Sequence, residues 1–262
     1  MTRTRPLLLV CAFALSGCGS APAASPTTMA ALLPSPTPTI AFPTLIPTAT
    51  VTPLASPTTS PELAAAAGSL LFQASFASDE GWPLSSDADG AASLSAGSLI
   101  IAVSRPGASR YVLVPMPPAA DFLFEATTRA SLCSAEDEIG LLFRVGPRAD
   151  HYRYTLSCSG VAQMTRVLGT GAAVLAGPAR ASSAIPSSPA ENRLAVLARG
   201  QTFTFFVNGV EVLQSRDSLL ASGGFGFFVR SASQGQTTAA LTSLTVRALA
   251  PDATPAITSM PG

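Results

Sequence analysis

His151 is the only histidine in the 262-residue chain, so any chemistry that needs an imidazole base has to be built on it. A serine nucleophile raised on a strand-turn-helix elbow needs Gly-x-Ser-x-Gly, and no such run occurs. His151 reads instead as a surface residue opening a strand. Hydrolysis of a glycosidic bond needs two facing carboxyls about 5 Å apart, or roughly 6.5–9.5 Å for inversion. The acidic cluster Glu136-Asp137-Glu138 is consecutive, so in an extended chain its members alternate faces. It reads as a solvated loop, with Ca²⁺ ligation as the alternative. A sugar-cleaving pair would have to set Glu138 against Asp121, Glu125 or Asp217. Another set suits binding. If Phe143 points inward, Arg144 points out, and Arg144 with Arg153, or with Tyr152 and Tyr154, lines one sheet surface joined by Arg230. Forked donors and rings suit sugar hydroxyls or uronic carboxylates. The alternative is that the tyrosines complete the core and the arginines keep the sheet soluble.

The four cysteines divide into two kinds. Leu15-Ser16-Gly17-Cys18 follows a short basic segment (Arg3, Arg5) and an apolar stretch from Leu7 to Leu15. That stretch is shorter than the roughly 20 residues a spanning helix needs. The tetrapeptide resembles the bacterial lipobox, which implies removal of residues 1–17, with Cys11, and a diacylglycerol on the Cys18 thiol. The expected location is extracytoplasmic, lipid-anchored at the cell surface or outer membrane. Cys133 and Cys158 remain, an even pair in an exported chain, and a disulfide between them is expected. Two thiols without CxxC spacing and one distant His are a poor zinc set, so neither a metal nor a cofactor is expected.

These groups have to be held by something. Residues 18–68 form a Pro/Ser/Thr-rich segment, with ten prolines between Gly19 and Ala67 and Glu62 as its only charge. Proline removes amide donors and fixes φ, so neither helix nor sheet propagates there. A disordered, lipid-anchored stalk is expected, reaching roughly 150 Å if fully extended. Without Arg3 and Arg5 the chain carries 13 basic against 15 acidic residues, too weak a field to attract nucleic acid. There is no lysine.

From Ser69 to Leu249 the texture is that of half-buried strands, alternating apolar and polar residues. Ile139, Leu141, Phe143 and Val145 share one face. Phe203, Phe205 and Val207 repeat the pattern, as do Phe225, Phe227 and Val229. Asn208-Gly209 between two such runs is a strong hairpin signal, and Ser159-Gly160 marks another turn. Helical periodicity is limited to the Ala-rich Glu62–Ala67 and a short turn at Ser218–Ala221. About a dozen short strands in some 180 residues predict an all-β fold, a two-sheet antiparallel β-sandwich, with residues 250–262 as a disordered tail.

Four stretches carry a further likeness: Phe76-Ala-Ser-Asp-Glu-Gly-Trp82; Gly140-Leu-Leu-Phe-Arg144 with Tyr152-Arg-Tyr-Thr-Leu-Ser157; Asn192-Arg-Leu-Ala-Val196; and Phe206-Val-Asn-Gly209 with Gly224-Phe-Gly-Phe227. In this order the sequence resembles the concanavalin A-like lectin/glucanase superfamily, the laminin-G-like jelly rolls of bacterial surface lipoproteins. The resemblance implies a jelly roll over residues 69–249, with Trp82 packed against the sandwich. Glycosidases of that superfamily carry Glu-x-Asp-x-x-Glu along one strand, which is absent here. The expectation is therefore a non-catalytic binding module, not an enzyme, for glycan or cell-envelope material. A glycoside hydrolase on the same fold and a structural or protein-interaction domain are the alternatives.

Overall fold

The computed structural model describes residues 60–78, 81–184, 190–232 and 235–251. The expected signal peptide, the expected lipidation site Cys18, the expected stalk up to residue 59 and the expected tail from residue 252 lie outside the described residues.

Helix α1 (Pro61–Ala66) comes first, followed by β1 (Ala67–Gln73), β2 (Ser86–Asp87), β3 (Gly90–Ser95), β4 (Ser98–Val103) and β5 (Ser109–Leu113). Then come β6 (Phe122–Leu132), β7 (Glu138–Val145), β8 (His151–Ser157), β9 (Val161–Leu168) and β10 (Gly171–Arg180). The last are β11 (Ala190–Arg199), β12 (Thr202–Val207), β13 (Val210–Arg216), β14 (Gly224–Arg230) and β15 (Thr237–Leu249). A nine-stranded sheet runs β13-β12-β11-β6-β15-β4-β3-β2, with β1 also on β15. A six-stranded sheet runs β10-β9-β8-β7-β14-β5. All pairings are antiparallel, so the expected two-sheet sandwich is what forms.

The alternating sets meet between the sheets. Phe143 lies 5.3 Å from Phe203 and 6.0 Å from Phe122, and Phe225 lies 4.7 Å from Phe122, all edge to face. Each such ring, fully buried, contributes roughly 1.5–3 kcal/mol from surface removed from water. Trp82 packs against Phe76 at 5.4 Å and is buried. Asn208 and Gly209 both take positive φ, 52° and 82°, as a tight two-residue hairpin turn requires. Cys133 and Cys158 form the expected disulfide.

Residues 61–66, which composition alone places in the stalk, fold instead. Ser60 caps the helix by accepting the Glu62 N–H at 3.2 Å, and Pro61 occupies the first turn, where no amide donor is needed. Leu63 and Ala66 then pack on Leu123, Ala195, Leu197 and Phe206, on the outer face of the nine-stranded sheet.

One irregularity organises an end of the sandwich. Phe225 pairs with Phe143 but Gly224 pairs with Val145, leaving Arg144 as the extra residue of a β-bulge, at φ 51°. Gly223 backs onto it so closely that a Cβ would stand 2.3 Å from the Arg144 carbonyl carbon. The bulge turns the Arg144 side chain inside. Nε and Nη2 donate to Ala120 O at 3.2 and 2.7 Å, Nη2 also to Gly200 O at 2.6 Å, and Nη1 to Leu220 O at 2.9 Å. The guanidinium carbon lies 4.8 Å from the Phe203 ring centroid, a cation–π contact.

Tyr152 continues the network: its hydroxyl donates to Asp217 and accepts the Leu220 N–H at 3.1 Å. Asp217 also pairs with Arg166 and accepts the Leu219 N–H at 2.9 Å. Burial, helped by the Asp217 hydrogen bond, pushes the Tyr152 hydroxyl up to about 12. Burial alone would raise Asp217, but its bonds from Tyr152, Leu219 N–H and Arg166 outweigh that and hold it below 3.8.

Two outcomes follow. Arg144→Met removes all four hydrogen bonds of this buried guanidinium and its contact with Phe203, and urea unfolding should show a loss of roughly 3 kcal/mol or more. The Asp217 carboxylate stabilises the fold above its unfolded pKa, and that stability is lost as pH falls through 3.8 toward the lower folded value. The melting temperature should therefore drop on acidification below about pH 4, and drop less in Asp217→Asn, which stays uncharged.

Candidate functional site

The alternation that sends Phe143, Tyr152, Tyr154, Phe225 and Phe227 inward fixes which residues face out from the six-stranded sheet. They are Tyr111 and Leu113 on β5, Phe228 and Arg230 on β14, Glu138, Gly140 and Leu142 on β7, Arg153 and Thr155 on β8, and Gln163 and Thr165 on β9. The register lays them in rows. Tyr111, Phe228, Gly140, Thr155 and Gln163 form one, and Leu113, Gly226, Leu142, Arg153 and Thr165 the next. Gly140 is obligatory where β7 and β8 approach, since a Cβ there would stand 2.1 Å from Tyr154 O. It also leaves nothing standing between β8 and Phe228.

Arg153 uses that gap. Its guanidinium carbon lies 4.6 Å from the Phe228 ring centroid, reaching from β8 past β7 to β14. Its Nε is buried with no hydrogen-bond partner. Arg230 pairs with Glu138 at 3.5 Å. Burial pushes the Arg153 guanidinium down, with Glu138 opposing the shift and Arg230 adding to it, so all three charges sense one another. Phe228 is 2% and Leu142 1% exposed although they face away from the core, whereas Tyr111 is 44% exposed. Among the described residues no helix is stacked on this face as α1 is on the other sheet.

The five residues expected on one surface are thus divided. Arg153 and Arg230 do share the outer face. Arg144, Tyr152 and Tyr154 do not: all three are buried between the sheets. Arg144 is turned in by the bulge, and Tyr154 donates to Phe206 O at 3.2 Å inside the sandwich. The tyrosines complete the core, as the alternative had it. Sequence reasoning missed Tyr111, Phe228 and Leu142. The signal for Phe228 was available, because Phe227 facing inward obliges its neighbour to face out.

The remaining candidates are dispersed. His151 opens β8 and its Nδ1 donates to Ala149 O at 2.6 Å, while burial pushes the imidazole below 6.5. Asp137 departs from the expected solvated loop. It is buried, and its two carboxylate oxygens accept the Ser134 and Ala232 N–H groups at 2.7 and 2.8 Å. Asp121 and Asp217 sit at the Arg144 end of the sandwich, and Glu125 pairs with Arg193 on the nine-stranded sheet. Glu138 begins β7, the far end from Arg144, so the structure does not bring it to any of the three. Two surface hollows lie elsewhere. One, of about 590 Å³, lies beside α1 and is lined by Glu62, Leu197, Arg199 and Thr204. The other, of about 550 Å³, lies at the β3–β4 hairpin.

No protein-family model matches the chain, and no curated protein matches it by sequence. Solved structures do. The carbohydrate binding module CBM66 from Bacillus subtilis is similar with a TM-score of 0.53 at 18% identity, over 64% of this chain and 96% of that one. The exoplasmic/lumenal domain of VIP36, in its Ca²⁺/Man3GlcNAc-bound form, gives 0.54 at 11%, over 69% and 88%. Bacillus licheniformis β-glucanase gives 0.50 at 9%, over 69% and 98%. The last overturns one expectation: enzymes as well as non-enzymes share this architecture, so the reading of the domain as not an enzyme is withdrawn. The sandwich of residues 61–251 has the concanavalin A/galectin-like jelly-roll fold.

Proposed function

We propose that the domain binds a glycan on the outer face of the six-stranded sheet, and that the chain is held to a membrane by lipid on Cys18, the stretch up to residue 59 serving as its stalk. The observation that carries the first part is the cluster of Tyr111, Phe228, Arg153 and Arg230 on one open face. An exposed tyrosine offers a flat apolar surface with a polar tip, suited to the C–H face of a sugar ring. Guanidinium forks beside it donate to hydroxyls. The similar solved structures include a carbohydrate binding module and a Man3GlcNAc-bound domain, which supports a sugar as the ligand. The second part rests on the Leu15-Ser16-Gly17-Cys18 sequence.

On a glycan array the full chain should bind at least one glycan class saturably. Tyr111→Ala should weaken that binding by about tenfold, the loss of one stacked ring and its hydroxyl. A blank array from folded protein would overturn the reading. For the anchor, labelled palmitate should enter the wild-type chain and not Cys18→Ser, which should leave the membrane fraction; unchanged labelling and fractionation would rule the anchor out.

A further inference from the structure

We infer that the ligand of this face is an anionic glycan, one carrying carboxylate or sulfate groups, and that Arg153 is the residue that selects it. The inference rests on the glycan-binding reading and adds the ligand's charge. The outer rows of β5, β14, β7, β8 and β9 hold two guanidiniums, Arg153 and Arg230, and one carboxylate, Glu138. That carboxylate is paired with Arg230 at 3.5 Å and is shared electrostatically with Arg153, so these rows carry a net single positive charge.

Arg153 is the one of the two guanidiniums without an ion-pair contact to Glu138 among the described residues, and its setting is unusual for an arginine. Its plane is fixed by stacking 4.6 Å over Phe228, and its Nε is buried without a hydrogen-bond acceptor. A buried donor left unpaired is costly, more so on a charged group. No neighbouring side chain accepts from it, the Thr155 and Thr165 hydroxyls included. Gly140 and Leu142 have no acceptor, and Gln163 is turned to Thr165, donating to its hydroxyl at 3.2 Å. Arg153 as a whole is only partly buried, and an incoming oxyanion suits its guanidinium in a way a neutral hydroxyl matches only in part, because a carboxylate or sulfate presents paired acceptor oxygens to the fork and cancels the charge. Stacking on Phe228 pre-orients the fork, so little side-chain freedom is lost on binding. Arg230, tethered to Glu138, borders the same position, and its positive field favours an anion further.

Matched polymers test this with the full chain: dextran against dextran sulfate, and polygalacturonate against its methyl ester, at fixed ionic strength. The charged member of at least one pair should bind about tenfold or more tightly than its neutral partner. Arg153→Ala should abolish that preference. Arg148→Ala removes the same charge from the exposed β7–β8 turn and should leave it within about twofold. Arg153→Lys keeps the charge but not the planar fork, so it should retain only part of the preference. Thermal melting of each variant establishes that it is folded. The sulfate and uronate arms identify which anion is read. Equal binding of charged and neutral members overturns the anionic inference while leaving glycan binding standing, as does equal loss in Arg148→Ala and Arg153→Ala. No binding to any polymer or array glycan removes both.

Discussion

A guanidinium enclosed between two sheets must find its acceptors there, and Arg144 finds them in the backbone. Water cannot reach it, and its nearest carboxylate, Asp121, is 3.7 Å away. It donates to carbonyls in three separate connections: Ala120 before β6, Gly200 between β11 and β12, and Leu220 between β13 and β14. One side chain therefore fixes the relative positions of three loops, and it does so from a residue whose backbone is held in the left-handed region. Tyr152, Asp217 and Arg166 extend the arrangement by tying the β13–β14 loop to β8 and β9.

The same register that creates the bulge keeps the rest of β7 regular, and this matters for the outer face. Gly140 and Gly226 lie in adjacent rows of the sheet. Both are close-contact positions: Cβ atoms there would meet Tyr154 O at 2.1 Å and Val112 O at 3.0 Å. The demand for tight strand approach thus clears the centre of the face, and larger residues close in from the sides. Arg153 leans in from β8 and Tyr111 stands at the β5 edge, with Phe228 as the floor between them.

How far the sequence reached depends on what alternation can encode. Period two puts Phe143 with Ile139, and Tyr152 with Tyr154, and both groupings hold. It does not say which face is the core, so the tyrosines could be drawn either way until the sheets were assembled. It also assumes an unbroken strand, and Arg144 breaks it: the bulge is made by the pairing with β14, more than 70 residues later, and leaves no mark near position 144. Asn208-Gly209 was legible because both residues tolerate the left-handed conformation the turn imposes. By contrast β3 and β10 are rich in Ala and Gly, with Leu94 the one large apolar residue of β3 and the adjacent Val174 and Leu175 those of β10, so no alternation marks them. The helical stretch at Glu62–Ala67 was legible, but the prolines before it assigned it to the stalk, whereas Leu63 and Ala66 pack it onto the sheet, with Pro61 at the first helical turn, where proline is favoured. Arg153 and Arg230 were found, but their neighbours Phe228 and Tyr111, which complete the surface, sat beside residues already assigned to the core.

The placement of α1 has a geometric consequence. Ala67 pairs with Leu249, and Ala250 N donates to Ala66 O at 2.9 Å, so the chain enters and leaves the sandwich at neighbouring points. Both points belong to the nine-stranded sheet, with α1 lying on its outer side. The six-stranded sheet therefore looks the opposite way, with the thickness of the sandwich between it and both attachment points. The two points where the described chain meets its flanking residues thus lie away from the face that carries Tyr111 and Arg153, which neither attachment point obstructs.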